Sequence, residues 1–337
     1  MSDTATGNPP EEITGEGLSP VLLFPGQGAQ YPGMGTGLYR AEPQFAAAVD
    51  EVFAAMGPNG AELRADWLSE APVLPLVHVT RSQPLLFTLG HALGRVLLDR
   101  GLRPAALLGH SIGEVVAASL AGVFGLESAV RLVIDRVTRL ASVPAGGMVA
   151  VSATVEETTA RLRPEVEVGA VNAPRQTVIS GPAEPLAATV EALRTDGFVC
   201  APVASLTPFH SSALREVVST GLESLAGREL CPPSIQIVSG YTAAPLKDEE
   251  ATDPRYWARH PVAPVLFWPA LESLLSRGPH LLAECGPGQG LVTLARRHPD
   301  VRAGRSTGLA LLGPSGDPGE EVRHFRTACA RLSLARP

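Results

Sequence analysis

Long apolar runs are missing from this 337-residue chain. None reaches the ~18 residues that cross a membrane as a helix. The N-terminus lacks the basic-then-apolar order of a secretory leader, so a cytoplasmic location is expected. Met1 to Pro20 is polar with an acidic bias, and a disordered tail is expected over 1–20. Cysteine is scarce. Cys200, Cys231, Cys285 and Cys329 are widely spaced, and no pair has metal-ligand spacing. Reduced, buried thiols are expected, and no metal site is read. Strong basic runs are absent too. The 27 Lys and Arg against 34 Asp and Glu leave a net charge of −7, which argues against nucleic acid as a partner. An acidic enzyme that meets an acidic partner needs a local arginine patch instead.

What the chain does contain is enough to build a sizeable core. Hydrophobic residues make up 45%. Gly 34 and Pro 31 together stay below the roughly 25–30% that marks low complexity. The length suits one large core, or one with a smaller inserted unit. Val21 to Phe24 reads as a buried strand followed by a Pro25-Gly26-Gln27-Gly28 loop. Pro84 to Arg100 has helical apolar spacing, with Pro84 near its start and Gly101 after its end. Ala105 to Leu108 reads as a second strand. This alternation predicts an α/β fold with a mainly parallel sheet over 21–145 and 204–337. The middle differs. Strand 147–151, helix 155–162, strands 166–171 and 177–179, helix 184–194 and strand 198–203 form a β-α-β-β-α-β order. That is a ferredoxin-like subdomain inserted at about 146–203. Further strands of the large domain are read near 235–238 and at 280–284.

Gly109-His110-Ser111-Ile112-Gly113 follows the second strand and leads into an apolar helix. A serine between glycines on a strand-to-helix turn is the nucleophile-elbow pattern. It signals acyl chemistry without separating a hydrolase from a transferase. A serine hydroxyl needs a base. Of eight histidines, His110 adjoins the serine, but side chains diverge at a sharp elbow. His210 lies where the chain re-enters the large domain, a favoured place for a site.

Five segments form an ordered series. These are Phe24-Pro25-Gly26-Gln27-Gly28-Ala29-Gln30, the elbow continuing into Glu114, Arg136, Phe209-His210, and Glu284-Cys285-Gly286-Pro287-Gly288. Over about 20–313 this series resembles the malonyl-CoA:acyl-carrier-protein transacylases, the acyltransferases of fatty-acid and polyketide synthesis. The resemblance implies an α/β-hydrolase-like domain with a ferredoxin-like insertion. It implies Ser111 as acyl-carrying nucleophile, His210 as general base and acid, and the backbone N–H groups of Gln27 and Ile112 as the oxyanion hole. It puts the carbonyl that orients His210 on Leu266. It makes Arg136 the holder of a free acyl carboxylate, with Phe209 and His110 beside the acyl group. Phe209 leaves little room for an α-methyl, and Ile112 stands where methylmalonyl users often carry Gln; both favour malonyl. No cofactor is bound permanently. The substrates are an acyl-CoA and the phosphopantetheine of an acidic acyl carrier protein, working in trans with polyketide synthase modules. Arg296 and Arg297, in the densest basic stretch, are the expected carrier contact.

The chain also departs from the family pattern. Thr207-Pro208 replaces a His-Ala pair, Val137 a glycine, and His260 an asparagine. Carrier-to-carrier transfer of a non-carboxylated or aminoacyl group, and editing hydrolysis, therefore stay open. An ordinary hydrolase triad would use His280, His298 or His324. A Ser-Asp lipase would use Asp196-Gly197, where a plain turn is the stronger reading. A non-catalytic carrier-binding module would have little need of Ser111, His210 and Gln27 together.

Overall fold

The computed structural model describes residues 17–313 and 317–334. Among them nine strands form: β1 (Ser19–Phe24), β2 (Ala106–Gly109), β3 (Gly146–Val151), β4 (Glu167–Ala173), β5 (Gln176–Pro182), β6 (Cys200–Pro202), β7 (Ile237–Val238), β8 (His280–Glu284) and β9 (Thr307–Ala310). The tail expected over 1–20 lies, through residue 16, outside the described residues. Its last two residues, Ser19 and Pro20, already belong to β1.

The large sheet runs β7-β2-β1-β8-β9, and every pairing in it is parallel. Its strands are short apolar runs because both faces are covered. Side chains alternate along a strand. Leu22 and Phe24 of β1 therefore enter one core with Leu107 and Ala283, while Val21 and Leu23 enter a second with Leu108 and Leu282. The helix Val79–Asp99 packs on the first face with the helices Ile112–Leu120 and Leu126–Leu140.

The helix expected over 84–100 in fact starts at Val79 and ends at Asp99. Pro84 therefore sits inside it. A proline lacks only one N–H, and the first turns begin upstream, where Arg81 and Ser82 donate to the His78 carbonyl. The Pro84 carbonyl is used by the Thr88 hydroxyl at 2.8 Å. Gly101 follows with φ 86°, the left-handed residue that ends a helix.

The inserted unit forms its own antiparallel sheet, β4-β5-β3-β6, with a separate core of Val149, Val151, Ile179, Leu186, Val190 and Leu193. Strand 198–203 shortens to β6 at the sheet edge, where Pro202 needs no donor. The helix read over 155–162 stops at Thr159. The unit is joined to the large domain beside the elbow. Val171 donates to the Val265 carbonyl at 2.8 Å, and Val265 donates to Gly169 at 2.9 Å. The strand β9 and the helix Pro318–Leu334 had no counterpart in the sequence reading. Among the described residues no helix is long and apolar enough to cross a membrane.

Candidate active site

Ser111 occupies the turn from β2 into the helix Ile112–Leu120 with φ 57° and ψ −119°. A non-glycine residue at positive φ is strained by about 1–3 kcal/mol. The flanking glycines make the turn possible. A Cβ on Gly113 would stand 2.0 Å from the Phe24 carbonyl oxygen, and one on Gly109 would stand 2.1 Å from the Glu114 nitrogen. The elbow is thus pressed against the end of β1, to which His110 N–H also donates at 2.8 Å. Ile112 is the first residue of the helix, so its N–H has no helical acceptor.

Ser111 Oγ lies 2.8 Å from His210 Nε2, both groups buried. His210 also has positive φ, 62°. Its N–H donates to the Pro261 carbonyl at 2.7 Å, which fixes this second strained turn. His210 Nδ1 lies 2.8 Å from the Ala263 carbonyl and 3.0 Å from the His260 carbonyl. Two acceptors there put the proton on Nδ1 and leave Nε2 free to accept from the serine. Burial, then His110, pushes the His210 pKa down to about 4, against the opposing pull of the two carbonyls.

The orienting carbonyl is therefore not that of Leu266. Val265 is clamped to Gly169 and Val171, so Leu266 becomes the cap of the helix Phe267–Leu275. Its carbonyl accepts the Ala270 N–H at 3.0 Å. The loop one turn earlier supplies the acceptors instead.

Gln27 follows β1. Its side chain donates to the Ala204 carbonyl at 2.9 Å and accepts from Gln83 Nε2 at 2.8 Å. Gln30 Nε2 reaches the same Ala204 carbonyl. These bonds hold the loop at the junction of the two units. His110 turns away from Ser111, as expected at an elbow. Its Nε2 meets Asn172 Oδ1 at 2.9 Å, and its ring lies 5.9 Å from Phe267. Phe209 is buried in the second core, its ring 6.3 Å from that of His210.

Arg136 is carried inward by the apolar face of Leu126–Leu140, between Val133 and Val137. It does not pair with Asp135, which meets Arg131 at 3.4 Å and Ser224 Oγ at 2.8 Å. Arg136 Nη2 donates to the Trp257 carbonyl at 3.1 Å, and Nε is buried without a partner among the described residues. No carboxylate among the described residues forms an ion pair with it. Burial lowers its pKa to about 10, so it stays charged at neutral pH.

Arg296 and Arg297 are exposed, and Arg297 Nη1 bonds Gln176 Oε1 at 2.6 Å across to the inserted unit. Three residues of the alternative readings lie elsewhere in the fold. His280 begins β8, at the opposite end of the sheet from the elbow, and His298 caps a short helix. Asp196 pairs with Arg161 at 2.6 Å, within the inserted unit.

Several residues at the site carried no role in the sequence reading. Glu114, one turn beyond Ser111, is fully buried. It accepts from Gly240 N–H at 2.7 Å and from the Tyr256 hydroxyl. Burial raises its pKa to about 7. Its carboxylate is 4.0 Å from His260 Nε2. Tyr241 stacks on His260 at 4.0 Å between ring centres. A signal for Tyr241 existed: it follows a parallel strand, and ligands bind beyond the carboxyl ends of such strands.

Residues 21–328 match the model of the acyl transferase domain family. The chain is 37% identical over 280 residues to a phenolphthiocerol/phthiocerol polyketide synthase protein of Mycobacterium tuberculosis. That match takes in 83% of this chain and 19% of the much longer synthase protein. Among solved structures it resembles the acyltransferase domain from the second module of the salinomycin polyketide synthase. The TM-score is 0.84 at 33% identity, covering 95% of this chain and 74% of that one. It also resembles the malonyl-CoA:acyl carrier protein transacylase of Xanthomonas oryzae, with a TM-score of 0.78 at 28% identity over 93% of this chain and 99% of that one. With this match over most of its length and a fold shared with solved acyltransferase domains, the chain belongs to the acyl transferase domain family and is an acyltransferase.

Proposed function

We propose that this enzyme moves a malonyl group from malonyl-CoA, through an ester on Ser111, to the phosphopantetheine thiol of an acyl carrier protein. The observation that carries the choice of malonyl is Arg136. A buried guanidinium without a carboxylate partner is costly, and a ligand carboxylate removes that cost. Its planar fork matches a carboxylate at two points.

The chemistry follows from the pair. His210 Nε2 takes the proton of Ser111 as Oγ attacks the thioester carbonyl. The oxyanion faces the Ile112 N–H at a helix N-terminus, with the Gln27 N–H from the loop held by Gln83 and Ala204. His210 then protonates the departing thiolate. A carrier thiol, deprotonated by the same histidine, attacks the serine ester in the reverse sense. A backbone acceptor behind His210 carries no full charge, so the imidazole stays a modest base suited to reversible transfer. Phe209, packed against this centre, supports a small α-substituent. Exposed Arg296 and Arg297, near the junction of the two units, are proposed to meet the acidic carrier.

The test is intact-mass measurement after exposure to malonyl-CoA and acetyl-CoA. A malonyl adduct is expected on the wild type and none on Ser111→Ala. Arg136→Ala should lower the malonyl-to-acetyl ratio of acylation kcat/KM by about 30-fold or more, the loss of a buried charge pair worth at least ~2 kcal/mol. Equal loss of both acyl groups defeats the carboxylate role.

A further inference from the structure

Four polar atoms near Ser111 are buried and make no hydrogen bond among the described residues. They are Arg136 Nε, the Tyr241 hydroxyl and both ring nitrogens of His260. Buried polar groups are nearly always bonded, so such a cluster marks a place for a polar ligand. The atoms belong to one assembly. Tyr241 lies flat on His260, with ring centres 4.0 Å apart and planes 18° from parallel. Its ring is 6.2 Å from that of His210. Glu114, Arg136 and the Ser111 side chain all bear on its hydroxyl, Glu114 favouring the protonated form and the other two opposing it. Trp257 ties the group together, its carbonyl on Arg136 at 3.1 Å and its ring 5.0 Å from His260.

The charges fit one anion. Burial holds Tyr241 protonated, so it can donate. Burial, then Arg136 and His210, holds His260 neutral. Arg136 is thus the cation of this cluster, and a phenol beside it completes the recognition of one carboxylate.

We propose that the Tyr241 hydroxyl is a second donor to the free carboxylate of the acyl group, beside Arg136, and so determines specificity for a dicarboxylic acyl thioester. The inference rests on the carboxylate-binding reading of Arg136 and adds a residue to it.

Tyr241→Phe keeps the ring on His260 and removes only the hydroxyl. The malonyl-to-acetyl ratio of kcat/KM, read by intact mass, should fall about 10- to 100-fold, as for a lost hydrogen bond to a charged group. The free protein should melt at about the same temperature, because the hydroxyl has no hydrogen-bond partner of full geometry among the described residues. An unchanged ratio overturns the proposal, as does an equal fall for both acyl groups. A melting point lowered by several degrees also overturns it, since the hydroxyl would then be bonded within the protein. Arg136→Ala is measured alongside. If it lowers the ratio and Tyr241→Phe does not, only the role of Tyr241 fails. If Arg136→Ala leaves the ratio intact, the carboxylate reading fails and this inference with it.

Discussion

Lowering the pH should leave this enzyme able to acylate well below the range in which an ordinary histidine base fails. The proposed base, His210, is fully enclosed, with His110 nearby and its pKa held at about 4. Enclosure penalises the imidazolium, so the neutral form persists to lower pH. At pH 5 a base with pKa about 4 is roughly nine-tenths neutral, whereas one at 6.5 is only about 3% neutral. Single-turnover acylation by acetyl-pantetheine isolates the enzyme's own titration, because that donor has no ionisable group in the range. The acid limb of kcat/KM should bend near pH 4, and the rate at pH 5 should stay within about twofold of that at pH 7. Half-maximal rate near pH 6.5 would refute the reasoning, for it would mean that water reaches His210 and cancels the effect of burial.

Two stability predictions accompany the Arg136 and Tyr241 experiments. His91 is buried against Phe87, and burial followed by Arg95 lowers its pKa to about 4. Between pH 6.5 and 4 the unfolded chain binds a proton there that the folded chain does not, so stability falls as pH falls through that window. His91→Phe removes this contribution. The stability difference between variant and wild type should shift by about 2 kcal/mol in the variant's favour between pH 7.5 and 5 in urea melts; parallel curves exclude it. Gly113→Ala drives a Cβ to 2.0 Å from the Phe24 carbonyl, a backbone atom that cannot turn aside. Loss of about 3 kcal/mol or more is expected, with loss of Ser111 acylation. A variant that melts and acylates normally shows the elbow to be looser than described.

Much of the fold was legible because its signals are local. The apolar runs of β1 and β8, the glycines around Ser111 and the β-α-β-β-α-β order of the insert each rest on neighbouring residues. The helix containing Pro84 was misplaced at its start because a proline reads as a beginning, while upstream backbone bonds to His78 set the true one. The C-terminal helix escaped notice. It is fixed by long-range bonds, with Glu321 accepting from the Gly35 and Gly37 N–H groups and the Tyr31 hydroxyl.

The sequence by itself marked the elbow and its serine, since glycine spacing carries that signal, while His210 was singled out through the family resemblance and lies 2.8 Å from the serine in the fold. Only the tertiary structure decided what surrounds them. The carbonyls of Ala263 and His260 meet His210, while Val265 is zipped to the inserted unit and Leu266 is committed to a helix cap. Arg136 has no carboxylate partner among the described residues, and Asp135, its neighbour in sequence, meets Arg131 and Ser224 instead. Tyr241 reaches the centre from a loop 130 residues beyond Ser111 because β7 lies beside β2 in the sheet. A hydrogen-bond acceptor on the backbone, or an orphaned hydroxyl, has no residue-type signature; it exists only once distant segments are packed together.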